Sequence, residues 1–171
     1  SFSRATILRP SVVYSVDDNF TTYFMTLIRR LPIFPIFYNG LTKFSPIHCS
    51  DLTDIIYFVV SKNIDTKIIE CIGPENLTFK EILNKLSKLI NKNIFLFSLP
   101  LVFAKFQATL FEFMPNPILT RDQLRLLKYH NISSGKYKTN SDIGIPSKRF
   151  FDDEVKKYCY MWREGGQFST E

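Results

Sequence analysis

The chain is 171 residues long, enough for one domain with a real core. Hydrophobic residues make up 45% and charged residues 22%, a globular balance that excludes disorder over most of the chain. The net charge of +6 is thinly spread and no nucleic-acid module with its basic and aromatic signature is visible, so nucleic acid is not an expected partner.

Ala5 to Leu8 reads as a strand that ends near Pro10, because proline has no amide to offer a ladder, and a loop runs on to about Asn19. Phe20, Phe24, Leu27, Ile28 and Leu31 recur at helical spacing until Pro32 stops them. Ile33 to Phe37, with its prolines, reads as irregular and buried. Lys43 to His48 reads as extended. Asp51 to about Ser61 reads as a helix capped by Ser50, with Leu52, Ile55, Ile56, Val59 and Val60 on its apolar side. Lys67 to Ile72 is a second buried strand, and Gly73 with Pro74 marks a turn.

Thr78 followed by Glu81 is a capping box, after which Phe79, Ile82, Leu83, Leu86, Leu89 and Ile90 keep helical period. Asn93 to Leu99 reads as a strand, and Pro100 as the first turn of a helix with a wide apolar face from Val102 to Met114. Thr120 with Gln123 opens a shorter helix. Turn formers dominate from His130 to Ser147, and Phe150 to Trp162 is amphipathic and basic. Alternating strands and helices belong to α/β folds with parallel strands, yet the chain offers too few strands to flank the one that ends at Pro10.

Cys49, Cys71 and Cys159 are odd in number and far apart, which suits a reducing compartment and predicts no disulfide framework. No CxxC or paired-histidine spacing occurs, and His48, Cys49 and Asp51 diverge on an extended segment, so no metal site is expected. The N-terminus lacks a signal-peptide core. The apolar stretch from Asn93 to Leu119 is broken by prolines and charges, so no membrane span is expected.

Four segments then carry a resemblance. ATILRPSVVYSVDDNF is similar to the segment of extended short-chain dehydrogenase/reductases in which a strand ends in Arg-Pro and enters a Val-Tyr loop. KFSPIHCSDLTDII and KIIECIGPENLTFKEIL resemble later elements of that family, in its order. LTRDQLRLLKYHNI and the closing YMWREGGQF resemble the branch that includes the accessory NAD(P)-binding subunit of respiratory complex I. The resemblance runs from Arg4 to Phe168. It implies an incomplete Rossmann-type α/β fold, with residues 1–171 as the C-terminal portion of one NAD(P)-binding domain whose dinucleotide-binding half lies outside them.

The same resemblance makes Pro10, Ser11 and Val12 the candidate contacts to the nicotinamide end of NAD or NADP, since ligands bind beyond the carboxyl ends of the strands. Pro10 read from the residues alone simply ends a strand, and both readings stay open. Ser15 departs from the pattern, standing where relatives have glycine. Also implied are an accessory, non-catalytic role, complex I subunits as partners, and a peripheral position on the cytoplasmic face of a bacterial inner membrane or the matrix side of a mitochondrial one. Two other readings stand beside it: an NAD(P)-dependent epimerase, dehydratase or reductase acting on a nucleotide sugar, and an acidic-lipid module using Lys148, Arg149, Lys156 and Lys157.

Several chemistries have no residues here. Phosphate cradling needs a glycine-rich turn, and Gly40, Gly73, Gly135, Gly144, Gly165 and Gly166 cannot build one. None of the tyrosines has lysine four residues on, the acid/base pair of this superfamily, and no GxSxG elbow occurs, so no catalytic residue is assigned. The acidic groups at Asp17 and Asp18, Asp51 and Asp54, and Asp152 to Glu154 read as helix-start residues that favour the dipole.

Overall fold

The computed structural model describes residues 5–62, 64, 66–99 and 126–168. In chain order they form β1 (Ile7–Pro10), β2 (Val13–Tyr14), α1 (Thr21–Arg30), β3 (Ile33–Ile36), β4 (Lys43–Phe44), β5 (Ile47–His48), α2 (Cys49–Lys62), β6 (Ile68–Cys71), β7 (Leu77–Thr78), α3 (Phe79–Leu89), β8 (Phe95–Ser98), β9 (Lys138–Thr139) and α4 (Phe151–Lys156). β1, β6 and β9 make a parallel sheet in the order β1-β6-β9, with Ile7 opposite Ile68 and Pro10 opposite Cys71. β2 runs parallel to β5 and β3 to β8, while β4 and β7 are antiparallel.

The main core lies between α1, α3, α4 and the short strands. α3 follows from its sequence: the Thr78 hydroxyl accepts from the Glu81 amide at 3.2 Å and the Glu81 carboxylate accepts from the Thr78 amide at 2.7 Å. Its face of Phe79, Ile82, Leu83 and Leu86 is buried against Met25 and Ile28 of α1 and Phe151 of α4. Each such leucine contributes about 1.5–3 kcal/mol over leaving it in water. Phe24 sits edge-on to both Phe20 and Phe79 at 5.2 Å, a favoured aromatic geometry. The C-terminal residues strap this core, with the Trp162 indole donating to Thr26 at 2.9 Å and the Arg163 Nε to the Leu89 carbonyl at 2.9 Å.

Three details differ from the sequence expectations. Ile33 to Phe37, read as irregular, contains a strand: the Phe95 amide donates to Pro32 and the Leu99 amide to Ile36, so alternate β3 residues face β8 and the Pro35 nitrogen faces away from the ladder. Ser50 does not cap α2. The helix begins one residue earlier at Cys49, and the His48 Nδ1 accepts the Ser50 amide at 3.3 Å. Finally, α2 buries Ile55 and Val59 but leaves Ile56 and Val60 exposed, the latter at 75%. The expected helices after Pro100 and at Thr120 fall outside the described residues, apart from Leu126 at the end of the second.

Gly73 is needed for closeness. A Cβ there would stand 1.6 Å from the Pro46 carbonyl oxygen, and the Gly73 amide donates to the Ser45 carbonyl at 3.1 Å. Asn140, fully buried, pins the turn-rich segment to β6. Its Oδ1 accepts the Ile72 amide at 2.8 Å, while its Nδ2 donates to the Ile145 carbonyl and the Ser147 hydroxyl.

Candidate cofactor-contact site

Pro10, Ser11 and Val12 lie at the carboxyl end of β1, the end of a parallel sheet where ligands of this architecture bind. Their environments differ. Pro10 is exposed, Ser11 is buried and Val12 is half-buried against the main core. The Ser11 hydroxyl donates to the Asn131 carbonyl at 2.7 Å and accepts the Ser45 amide at 3.2 Å, while its own amide donates to Cys71 at 3.0 Å. The Val12 carbonyl accepts the Ile47 amide at 2.9 Å. Ser11 is thus a structural knot joining β1 to the segments around Ser45 and Asn131, and Pro10 offers the open surface.

The knot extends outward. Ser45 donates its hydroxyl to Asn76 at 2.6 Å. On the neighbouring strand Glu70 is buried and accepts from the Ser133 and Ser134 hydroxyls at 3.1 and 2.7 Å and the Ser134 amide at 2.8 Å. Burial alone would raise its carboxyl, but those hydrogen bonds, with Arg9 nearby, hold it below the ordinary glutamate range. The Arg9 guanidinium lies over the Tyr137 ring at 5.5 Å. Nothing in the sequence around Ser45, Glu70 or Asn131 marked them, since their partners lie 31 to 120 residues away.

Two buried tyrosines are poorly suited to acid/base chemistry. An acid/base tyrosine must have its proton made easier to remove. Tyr14, whose hydroxyl donates to the Arg149 carbonyl at 3.3 Å, is pushed well up by burial and then by Glu154. Tyr158, 2.8 Å from the Thr21 hydroxyl, is likewise pushed up by burial. Cys71, beside Pro10 in register, is driven to about 11 by burial, which leaves an inert thiol.

The acidic groups serve the fold. Asp18 accepts the Phe20 amide at 2.7 Å and the Thr22 amide at 3.2 Å at the start of α1. Asp51, buried in the first turn of α2, accepts the amides of Lys148 and Arg149 at 3.2 and 3.0 Å and the Arg149 guanidinium. Asp152 pairs with Lys85. Of the four expected lipid-facing cations, Arg149 is held by Asp51 and Asp54 and Lys157 by Glu154 at 2.7 Å, which leaves a weak basic face.

No protein-family model matches the chain. Among solved structures it matches dTDP-glucose 4,6-dehydratase from Bacillus anthracis in complex with NAD, at a TM-score of 0.58 and 15% identity, covering 95% of this chain and 45% of that one. It matches UDP-glucuronic acid 4-epimerase from Bacillus cereus in complex with UDP-glucuronic acid and NAD, at 0.55 and 18%, covering 90% and 44%. The described residues take an α/β fold like the matched part of these enzymes, an incomplete Rossmann-type fold.

A second similarity lies in the sequence. Over 138 residues the chain is 29% identical to NADH dehydrogenase (ubiquinone) 1 alpha subcomplex subunit 9, mitochondrial, from Dictyostelium discoideum, covering 74% of this chain and 35% of that protein. It therefore spans about a third of that relative and under half of the two solved structures. Both sides of the resemblance read from the sequence, to SDR-like enzymes and to a complex I subunit, are met. For a dinucleotide the fit of the described residues is partial. Pro10 presents surface at the right end of β1, while no helix among them starts on a glycine-rich turn that could hold a pyrophosphate.

Proposed function

We propose that residues 1–171 are the C-terminal portion of one NAD(P)-binding SDR-like domain, and that the protein is an accessory, non-catalytic subunit of NADH:ubiquinone oxidoreductase. The observation that carries the reading is the 29% identity over 138 residues with a subunit of that enzyme. Supporting it are the two buried tyrosines, both pushed away from acid/base duty. NAD or NADP would serve as a structural group, its phosphates held by the dinucleotide-binding half and its nicotinamide end near Pro10. Ser11 and Val12 support that contact mainly by holding the Pro10 backbone, because the Ser11 hydroxyl and amide and the Val12 carbonyl bond within the protein.

The partners are complex I subunits, and the position is peripheral, on the cytoplasmic face of a bacterial inner membrane or the matrix side of a mitochondrial one. No helix among the described residues is long and apolar enough to cross a membrane. The dehydratase and epimerase among the solved structures favour a second reading, an enzyme of nucleotide-sugar chemistry. A tagged protein resolved on native gels separates the two. Co-migration with NADH:ubiquinone oxidoreductase activity is the expected result; migration apart from it, with turnover of a UDP- or dTDP-sugar, overturns the accessory role.

A further inference from the structure

One end of the molecule gathers the last turns of two helices and the first residues of two strands. α1 ends in Arg29 and Arg30 and leads through Pro32 into β3, while α3 ends in Lys88 and Leu89 and leads through Lys92 into β8. The Phe95 amide donates to the Pro32 carbonyl at 2.9 Å and the Arg163 Nε to the Leu89 carbonyl at 2.9 Å, so both chain reversals and the C-terminal strap meet here. Basic residues suit helix C-termini, whose open carbonyls carry partial negative charge. That role explains Arg29, Arg30 and Lys88 one by one. It does not explain the apolar side chains set among them.

Those side chains follow from strand alternation. Phe34 and Ile36 are buried and Leu96 packs on the main core, so Ile33, Pro35, Phe95 and Phe97 lie on the other face of the β3 and β8 pair. Ile33 and Phe95 stand opposite each other in the ladder and are 55% and 66% exposed. Each follows a cation by three residues, Arg30 before Ile33 and Lys92 before Phe95. Arg29, Arg30 and Lys88 are exposed and Lys92 is half-buried. One carboxylate joins them: Glu164 binds Lys92 at 2.6 Å and is held below the ordinary glutamate range first by Lys92 and then by Arg29.

We propose that this end, with Ile33 and Phe95 flanked by Arg29, Arg30, Lys88 and Lys92, is a docking surface for an anionic lipid bilayer. A bilayer surface takes both kinds of side chain at once, the cations at the headgroups and the apolar pair just below them. An acidic protein segment would meet the cations and leave Ile33 and Phe95 in water. A second copy would set like charges against each other. The surface lies apart from the lipid-facing residues expected from the sequence, of which Arg149 and Lys157 are held by carboxylates. The inference deepens the peripheral position proposed above, and its lipid contact needs no complex I.

Vesicle sedimentation of the full-length protein tests it, comparing phosphatidylcholine alone with phosphatidylcholine carrying about one-third phosphatidylglycerol. Binding to the anionic vesicles should be tighter by about 100-fold and should weaken with salt. Arg29→Gln with Arg30→Gln should weaken it by about 10- to 30-fold and Phe95→Ser by about tenfold. The control, Lys156→Gln with Lys157→Gln, should stay within about twofold of wild type. Phe95→Trp reads the contact itself: brominated lipid should quench the added emission, which a change in folding alone does not produce. Equal binding to neutral vesicles, a loss in the control matching that at Arg29 and Arg30, absence of quenching, or self-association in place of vesicle binding each overturns the proposal. Failure to bind vesicles with complex I co-migration intact would sink this inference alone. Vesicle binding by a protein that migrates apart from complex I would sink the accessory role alone.

Discussion

Replacing Gly73 with alanine isolates a purely steric demand. The added Cβ would meet the Pro46 carbonyl oxygen at 1.6 Å and its carbon at 2.6 Å, and neither is the free end of a flexible side chain. The backbones must part, which breaks the bond from the Gly73 amide to Ser45 at 3.1 Å. Loss of one buried hydrogen bond costs about 1 kcal/mol and overpacking about 1–3 kcal/mol, giving roughly 2–4 kcal/mol together. For a chain of this size that is a fall in Tm of about 4–16 °C. Because Ser45 also donates to Ser11, the strain reaches the segment below Pro10. Gly135 is the control: it has φ of +69° but nothing within 4 Å of a Cβ, so alanine there should cost only about 1 kcal/mol of backbone strain. A Gly73→Ala protein melting within about 2 °C of wild type would refute the close-contact argument.

Ser11→Ala removes the donor to Asn131 and the acceptor for Ser45, and should cost about 1–3 kcal/mol in urea unfolding; an unchanged midpoint would show that the knot is dispensable. Thr78→Ala breaks the capping box of α3 and should cost about 1 kcal/mol, with Thr78→Ser recovering most of it. His48 links stability to pH. Burial lowers its pKa against the opposing pull of Glu154, with Arg149 and Lys157 also lowering it and Asp51 raising it. The fold thus prefers neutral imidazole. Its contribution is fully present above about 6.5, the ordinary histidine value, and is lost as pH falls through the depressed folded value. Melting curves between pH 8 and 5 should show this loss, and His48→Asn, which keeps a capping oxygen, should flatten it.

What could be read in the sequence was local. Thr78 and Glu81 stand three residues apart, so their mutual capping and the helical period behind it needed no tertiary knowledge. The cap of α2 was misread because serine is the usual acceptor, while here an imidazole nitrogen one residue before the helix accepts the amide. The prolines around Ile33 hid β3, since a missing amide is harmless when it faces away from the paired strand, and only the register with β8 shows which way it faces. At the candidate site the end of β1 at Pro10 was legible from the same missing amide. The burial of Ser11 was not, because its partners Asn131 and Ser45 are brought there by the fold. Gly73 was recognised as a turn residue; that it also touches Pro46 is a fact of packing.

In the proposed function the sheet end at Pro10 would supply one wall of a dinucleotide site, and none of the described residues its phosphate cradle. Calorimetric titration of NADH and NADPH into the 171-residue chain, and into the protein as purified from its native source, measures this directly. The account predicts no saturable heat with the 171-residue chain up to millimolar nucleotide and a bound nucleotide in the natively purified protein. Tight, stoichiometric binding by the 171 residues alone would contradict it.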